Sequence, residues 1–228
     1  VGCNRAKFMG IAADGLSWAD AYQRKSLYDE FLLEKTLTNQ PDPRLKHTLA
    51  YYDATKPTET FYGKTWDGLG LNRNMVYWKK YTNYETATVE DYNSGINFRV
   101  VRLADIYLLY AEALNELNRT SEAYEYINKV RRRVGMPDLE NSTVFTGIGN
   151  DKEKMKRQIM HERTCELGGE STRWFDLERW GMFENPADVA WLKNRDADFN
   201  NFVIGINQRF PIPYREIALV PIEQNYGY

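Results

Sequence analysis

VRLADIYLLYAEALNELNRTSEAYEYINKVRRRVG, residues 101–135, carries the strongest periodicity in the chain and decides its fold class. From Val101 to Asn118, Leu103, Ile106, Tyr110, Ala113 or Leu114, and Leu117 recur at spacings of three and four, which predicts an α-helix with one apolar stripe. After a very short turn, Thr120 or Ser121 is placed to cap a second helix. Glu122 and Glu125 lie toward its positive end, and Ala123, Ile127, Val130 and Val134 mark its buried face. Gly135 and Pro137 end it. The run Arg131-Arg132-Arg133 falls in the last turn, where cations complement the free carbonyls.

These two helices form a hairpin whose pattern, Ala111 and Leu114 and then Ala123, Ile127 and Val130, resembles one tetratricopeptide unit. One copy is found, and since about three such units are needed for stability, its partners must come from elsewhere in the chain or from residues outside it. A third helix is predicted from about Asn150, which with Glu153 makes a capping-box-like start, to Leu167 before Gly168-Gly169. A short fourth spans about Ser171 to Trp180, and a weaker one is expected at Trp18–Lys35. Short strands are expected near Met75–Tyr81, and Pro211-Ile212-Pro213 must be extended. The fold class is therefore mainly α: a tetratricopeptide-like helical hairpin, additional helices and long aromatic-rich loops.

The 228 residues suggest one large domain or part of a larger one. We divide it into a loop-rich segment at 1–100, the helix pair at 101–135, and helices with an extended tail at 150–228. Thirty Lys+Arg against 32 Asp+Glu leave no global field for nucleic acid. No apolar run approaches the roughly 18 residues of a membrane span. Cys3 and Cys165 form no C-x-x-C pattern, and with only His47 and His161 a three-histidine metal site is excluded. No cofactor and no metal are expected. The N-terminus has no signal-peptide pattern.

Thr36 to Phe98 shows no sustained period, yet Tyr51 to Phe98 alone holds eleven aromatics, too many for a disordered segment. Flat rings in a cleft stack on the apolar faces of sugars or on peptide side chains, which makes Trp18, Tyr62, Trp66 and Trp78 the candidate ligand contacts. Core packing is the competing role for each.

The other dense chemistry is Glu162, Arg163, Glu166, Glu170, Arg173, Asp176, Glu178 and Arg179. His161-Glu162-Arg163-Thr164-Cys165 begins like a zinc-protease helix but has Cys165 where the second histidine belongs. Glu162 and Glu166, four apart on one face, are spaced to act as acid and base on a glycosidic bond. The stronger reading is a partly buried ion-pair network of Glu162, Arg163, Glu166, Glu170, Arg173, Asp176 and Arg179 joining two helices, with no catalytic residue among them. A purely structural helical module that binds only protein is a further alternative.

Six pieces in order resemble the C-terminal half of the SusD/RagB family of outer-membrane nutrient-binding lipoproteins. They are Asp42-Pro43-Arg44-Leu45; Phe98 to Asp105 running into Tyr110-Ala111-Glu112-Ala113; Ile127 to Gly135; Glu162-Arg163 through Glu170 and Arg173 to Trp180; Pro211-Ile212-Pro213 with Glu216-Ile217; and Gln224-Asn225-Tyr226-Gly227-Tyr228. Departures are local: Ser171 stands where the family usually has glycine, Leu219-Val220-Pro221 replaces Asn-Pro, and Tyr226 replaces a proline. The family's members are longer, with an N-terminal lipid-anchored cysteine and several tetratricopeptide-like pairs that this sequence lacks; the anchor is not carried over to Cys3. The resemblance implies a SusD-like α-α superhelix and a non-enzymatic, cell-surface protein. It would bind glycans or oligopeptides at the outer membrane and deliver them to a SusC-like TonB-dependent transporter. It also implies that the strongly matching motifs are scaffold and that ligand contacts lie in variable aromatic loops. The rival of a different class is a glycan-cleaving hydrolase using Glu162 and Glu166.

Overall fold

The computed structural model describes residues 4–13, 15–20, 23–86 and 89–228. The chain folds as two compact units, Val1–Ser171 and Thr172–Tyr228. Cys3 lies outside the described residues, as do positions 21 and 22 of the helix expected at Trp18–Lys35.

The first unit runs α1 (Arg5–Met9), α2 (Lys25–Leu32), α3 (Leu45–Thr48), β1 (Leu49–Tyr51), β2 (Thr60–Phe61), β3 (Lys64–Thr65), β4 (Val76–Trp78), α4 (Leu103–Glu116), α5 (Thr120–Arg133) and α6 (Lys152–Leu167). The protein is mainly α-helical, as its periodicity predicts. Among the described residues, the strands make two small antiparallel pairs: β1 with β4, in the register Leu49 to Trp78 and Tyr51 to Val76, and β2 with β3.

The α4–α5 hairpin closes where the sequence places it. Asn118 adopts a left-handed φ of 61°, so its N–H donates to the Asn115 carbonyl (3.0 Å) and that of Arg119 to the Leu114 carbonyl (2.8 Å). This pairing satisfies the last carbonyls of α4. No side chain caps α5 in the way expected of Thr120 or Ser121. The Thr120 hydroxyl instead donates back to Asn115 Oδ1 at 2.8 Å, and Asn115 Nδ2 donates to the Lys152 carbonyl at the start of α6.

The buried face of α4 differs from the predicted stripe. Leu108, Ala111 and Leu114 pack with Ala123, Ile127 and Val130 of α5 and Met155 and Ile159 of α6, while Leu103, Ile106, Tyr110 and Leu117 are exposed. Apolar residues run round most of this helix, so the 3.6 period alone does not select the face; packing against α5 and α6 does. Each buried Leu or Ile here contributes roughly 1.5–3 kcal/mol relative to exposure.

α6 starts one residue later than predicted, because the Asp151 carboxylate, not Asn150, caps it by accepting from the N–H groups of Glu153 and Lys154 at 3.0 Å. The expected helix at Trp18–Lys35 shrinks to α2, leaving Trp18 in a loop.

The aperiodic stretch packs a core of its own. Phe61, Tyr62, Trp66, Leu69 and Tyr77 enclose Ile11, Leu16 and Ala50. Tyr62 and Gly63, with φ of 54° and 75°, form the two-residue turn of the β2–β3 hairpin.

The second unit holds α7 (Arg173–Arg179), α8 (Pro186–Arg195) and α9 (Tyr214–Leu219). The Phe183 ring, buried, meets Trp174 at 4.6 Å and Phe202 at 5.1 Å. The segment 211–213 is neither helix nor strand, and the Gln224 side-chain amide clasps both the N–H and the carbonyl of Ile212.

Candidate functional site

The four predicted ring contacts separate into two kinds. Trp18 is 46% exposed and Tyr92, which sequence reasoning did not single out, is 49% exposed. Their centroids lie 5.4 Å apart at 77°, and Phe8 meets Trp18 edge to face at 5.2 Å. Trp18 is held by its own N–H, which donates to the Lys7 carbonyl at 2.8 Å. Asp20, Asp91 and Asn93, all exposed, flank the two rings in sequence. Such a surface offers apolar stacking area bordered by hydrogen-bonding groups, the combination that holds a sugar ring or a peptide side chain.

Tyr62 and Trp66 are each only 3% exposed and correct the expectation placed on them. Trp66 packs against Phe61 at 5.8 Å, Tyr77 at 5.8 Å and Tyr52 at 6.5 Å, so its faces are spent on the core. The Tyr62 hydroxyl is bonded to Glu90 at 2.7 Å. Trp78 is half-buried and packs against the cluster of Phe31, Leu45, Leu49 and Cys165. Tyr92 stands among Asp91, Asn93 and Ser94, but local polarity does not separate it from Trp66, which stands between Thr65 and Asp67 and is buried by packing from distant residues.

Glu162 and Glu166 lie four apart on one face of α6, and Glu170 follows just past its end. Glu162, with no exposed surface, accepts from Arg44 at 2.6 Å and Arg131 at 3.1 Å. Glu166 accepts from Arg102 at 2.5 Å, from Arg133 at 2.6 Å and from Arg44 at 3.2 Å. Glu170 takes Lys80 at 2.5 Å and Arg102 at 2.8 Å. Arg44 is also gripped by Asp42, and Arg131 by Glu34 at 2.7 Å. Thus Arg131, read from sequence as a helix-end cation, is a buried cross-link. Arg163 pairs with Asp105 of α4 at 2.8 Å. In the second unit Arg179 pairs with Asp176 at 2.9 Å, and the Arg173 guanidinium lies 5.9 Å from the Trp180 ring centre.

Electrostatics work against the hydrolase alternative. Burial pushes the Glu162 carboxyl up, but Arg44, Arg131 and His161 outweigh it and bring it down to about 2. Glu166 is likewise held below the usual carboxylate range by Arg44, Arg102 and Arg133 against its burial. A glycosidic general acid needs the opposite shift, and both carboxylates are enclosed by arginines rather than open to a cleft.

Residues 11–228 match the profile of the SusD family. The chain belongs to that family. Among curated SusD-family relatives, SusD-like protein P25 of Formosa agariphila is 35% identical over 154 residues, 68% of this chain and 28% of its own length. SusD-like protein P38 of the same organism is 34% identical over 152 residues, 64% of this chain and 28% of its own. The crystal structure of a SusD superfamily protein from Bacteroides vulgatus superposes with a TM-score of 0.79 at 26% identity, covering 96% of this chain and 47% of that one. Surface glycan-binding protein A from Bacteroides uniformis shares the fold at a TM-score of 0.56 and 24% identity, over 81% of this chain and 38% of its own. The chain therefore spans about half, or less, of the length of the SusD relatives it matches. Among the described residues, no helix is long and apolar enough to cross a membrane.

Proposed function

We propose that this chain serves in the non-catalytic binding of glycans at the cell surface, for delivery to a SusC-like TonB-dependent transporter in the outer membrane. The observation that carries the reading is the exposed Trp18–Tyr92 pair on a SusD-family scaffold. The name of the Bacteroides uniformis relative, a surface glycan-binding protein, supports the ligand class. The α6 carboxylates act in this reading as scaffold, and attachment to the membrane is through a lipid anchor of the full-length protein.

The test is calorimetric titration and glycan-array binding, with a reducing-end assay on the same mixtures. Saturable binding without new reducing ends is the expected result. Cleavage would overturn the reading, and the absence of both binding and cleavage would move oligopeptides to the head of the ligand classes.

A further inference from the structure

We propose that Glu90 is the positioning residue of the Trp18–Tyr92 surface: a buried carboxylate that ties two loops together so that both rings present to solvent side by side. This assignment rests on reading that surface as the glycan platform, and it adds a residue that touches no ligand itself.

Glu90 is almost fully buried in a stretch without helix or strand, where an acid needs a reason to be. Its Oε1 accepts from the Tyr62 hydroxyl at 2.7 Å and from the Asn83 N–H at 2.6 Å, and its Oε2 accepts from Asn83 Nδ2 at 2.7 Å. Its own N–H donates to the Leu16 carbonyl at 2.8 Å. One residue thus joins the β2–β3 turn, the loop at 83 and the loop at 16. Trp18 stands two positions after Leu16, and Tyr92 two positions after Glu90.

Among the described residues, none of the partners of the Glu90 carboxylate is a cation. Burying a charge in this way is a poor route to stability, since apolar residues of similar volume commonly do as well or better. What three directed hydrogen bonds supply is register. Two further features depend on the same point. Tyr62 keeps a left-handed φ of 54°, costly for a bulky residue, and is held there by its hydroxyl on Glu90 and its N–H on the Tyr84 carbonyl at 2.8 Å. Gly10 lets the loop backbone close on the same hydroxyl, for a Cβ there would stand 2.9 Å from Tyr62 Oη and 2.9 Å from Ser17 Oγ.

The experiment labels the indole nitrogens of the six tryptophans in the intact chain with 15N and identifies the Trp18 signal by its loss in Trp18→Ala. Glu90→Ala, Glu90→Gln and Tyr62→Phe are then compared, and each is titrated with cellohexaose, xylohexaose and maltohexaose. Glu90→Ala and Tyr62→Phe are expected to shift or broaden the Trp18 signal and to weaken binding of whichever hexaose the parent takes by about tenfold, the cost of re-ordering a freed side chain. Glu90→Gln should restore both, because Asn83 can turn its amide to face the new Nε2. An unchanged Trp18 signal in folded Glu90→Ala would overturn the assignment; if that variant does not fold, an unchanged signal in Tyr62→Phe, which loses one hydroxyl, overturns it. Should Glu90→Ala move the Trp18 signal while Trp18→Ala still binds the hexaoses as the parent does, the positioning role stands and the glycan platform falls.

Discussion

Arg131 Nη1 and Glu162 Oε2 meet at 3.1 Å with neither side chain exposing any surface, and the second arm of Arg131 reaches Glu34 at 2.7 Å. Removing the guanidinium strands the buried Glu34 carboxylate and leaves Glu162 to Arg44, so Arg131→Ala is expected to cost about 3–5 kcal/mol. Arg132, its exposed neighbour, pairs with Asp138 on the surface, and Arg132→Ala should leave stability nearly unchanged. Urea unfolding of both variants decides the matter; equal losses would show that the buried pair is not the stronger anchor.

Acid and base should each remove a different buried contact. The Glu162 carboxyl is lowered from 4.5 to about 2, so its contribution is complete above about pH 4.5 and is lost as pH falls toward 2. His161 is displaced the other way: burial pushes it down, but Cys165 and the Glu30 carboxylate, 2.6 Å from Nδ1, hold it well above 6.5. That contribution is complete below about pH 6.5 and is lost as pH rises through the raised value. Thermal melts across pH should therefore show His161→Gln flattening the alkaline limb while leaving the acid limb in place.

Trp18 and Trp66 should behave as opposites. Trp66→Ala opens a void in the aromatic core and is expected to cost about 3–5 kcal/mol. Trp18→Ala should leave the melting temperature nearly unchanged and weaken glycan binding. A Trp18→Ala protein that binds glycans normally would contradict the platform.

Gly169 has a φ of 79°, and a Cβ there would lie 3.1 Å from Trp78 Cζ3 and 3.2 Å from Cε3. Gly169→Ala thus combines a strained backbone with an overpacked indole, a loss of about 2–4 kcal/mol. A displaced Trp78 should appear as a changed near-ultraviolet dichroism, and an unaltered spectrum with an unaltered melt would show that the contact is slack.

Much of the helical layout is legible because it is local. Asn118, Gly135 and Gly169, all at left-handed φ, punctuate α4, α5 and α6 through backbone preferences that act within a few residues. The face that α4 buries is not legible, since Leu103 and Leu108 are equally apolar and only α5 and α6 distinguish them. α8 passes unnoticed although Asn185-Pro186 is a cap followed by a proline at the first helical position, and Val189 and Leu192 keep helical spacing behind it. The site divides the same way. Trp18 is visible as a ring, but the burial of Tyr62 and Trp66 follows from β-hairpin geometry and from Glu90, which no local pattern announces.

The α6 network has a kinetic consequence. Arg44 reaches Glu162 across 118 positions and Arg102 reaches Glu166 across 64, whereas α4 and α5 meet through a turn of a few residues. Closing long loops costs entropy before any bond repays it, so the hairpin should form early and the arginines should lock late, after the folding transition state. Stopped-flow chevrons test the order: Ile127→Val should slow folding, and Arg44→Met should speed unfolding with little change in the folding limb. The long-range arginines would then set how long the folded chain survives, while the hairpin sets how fast it forms.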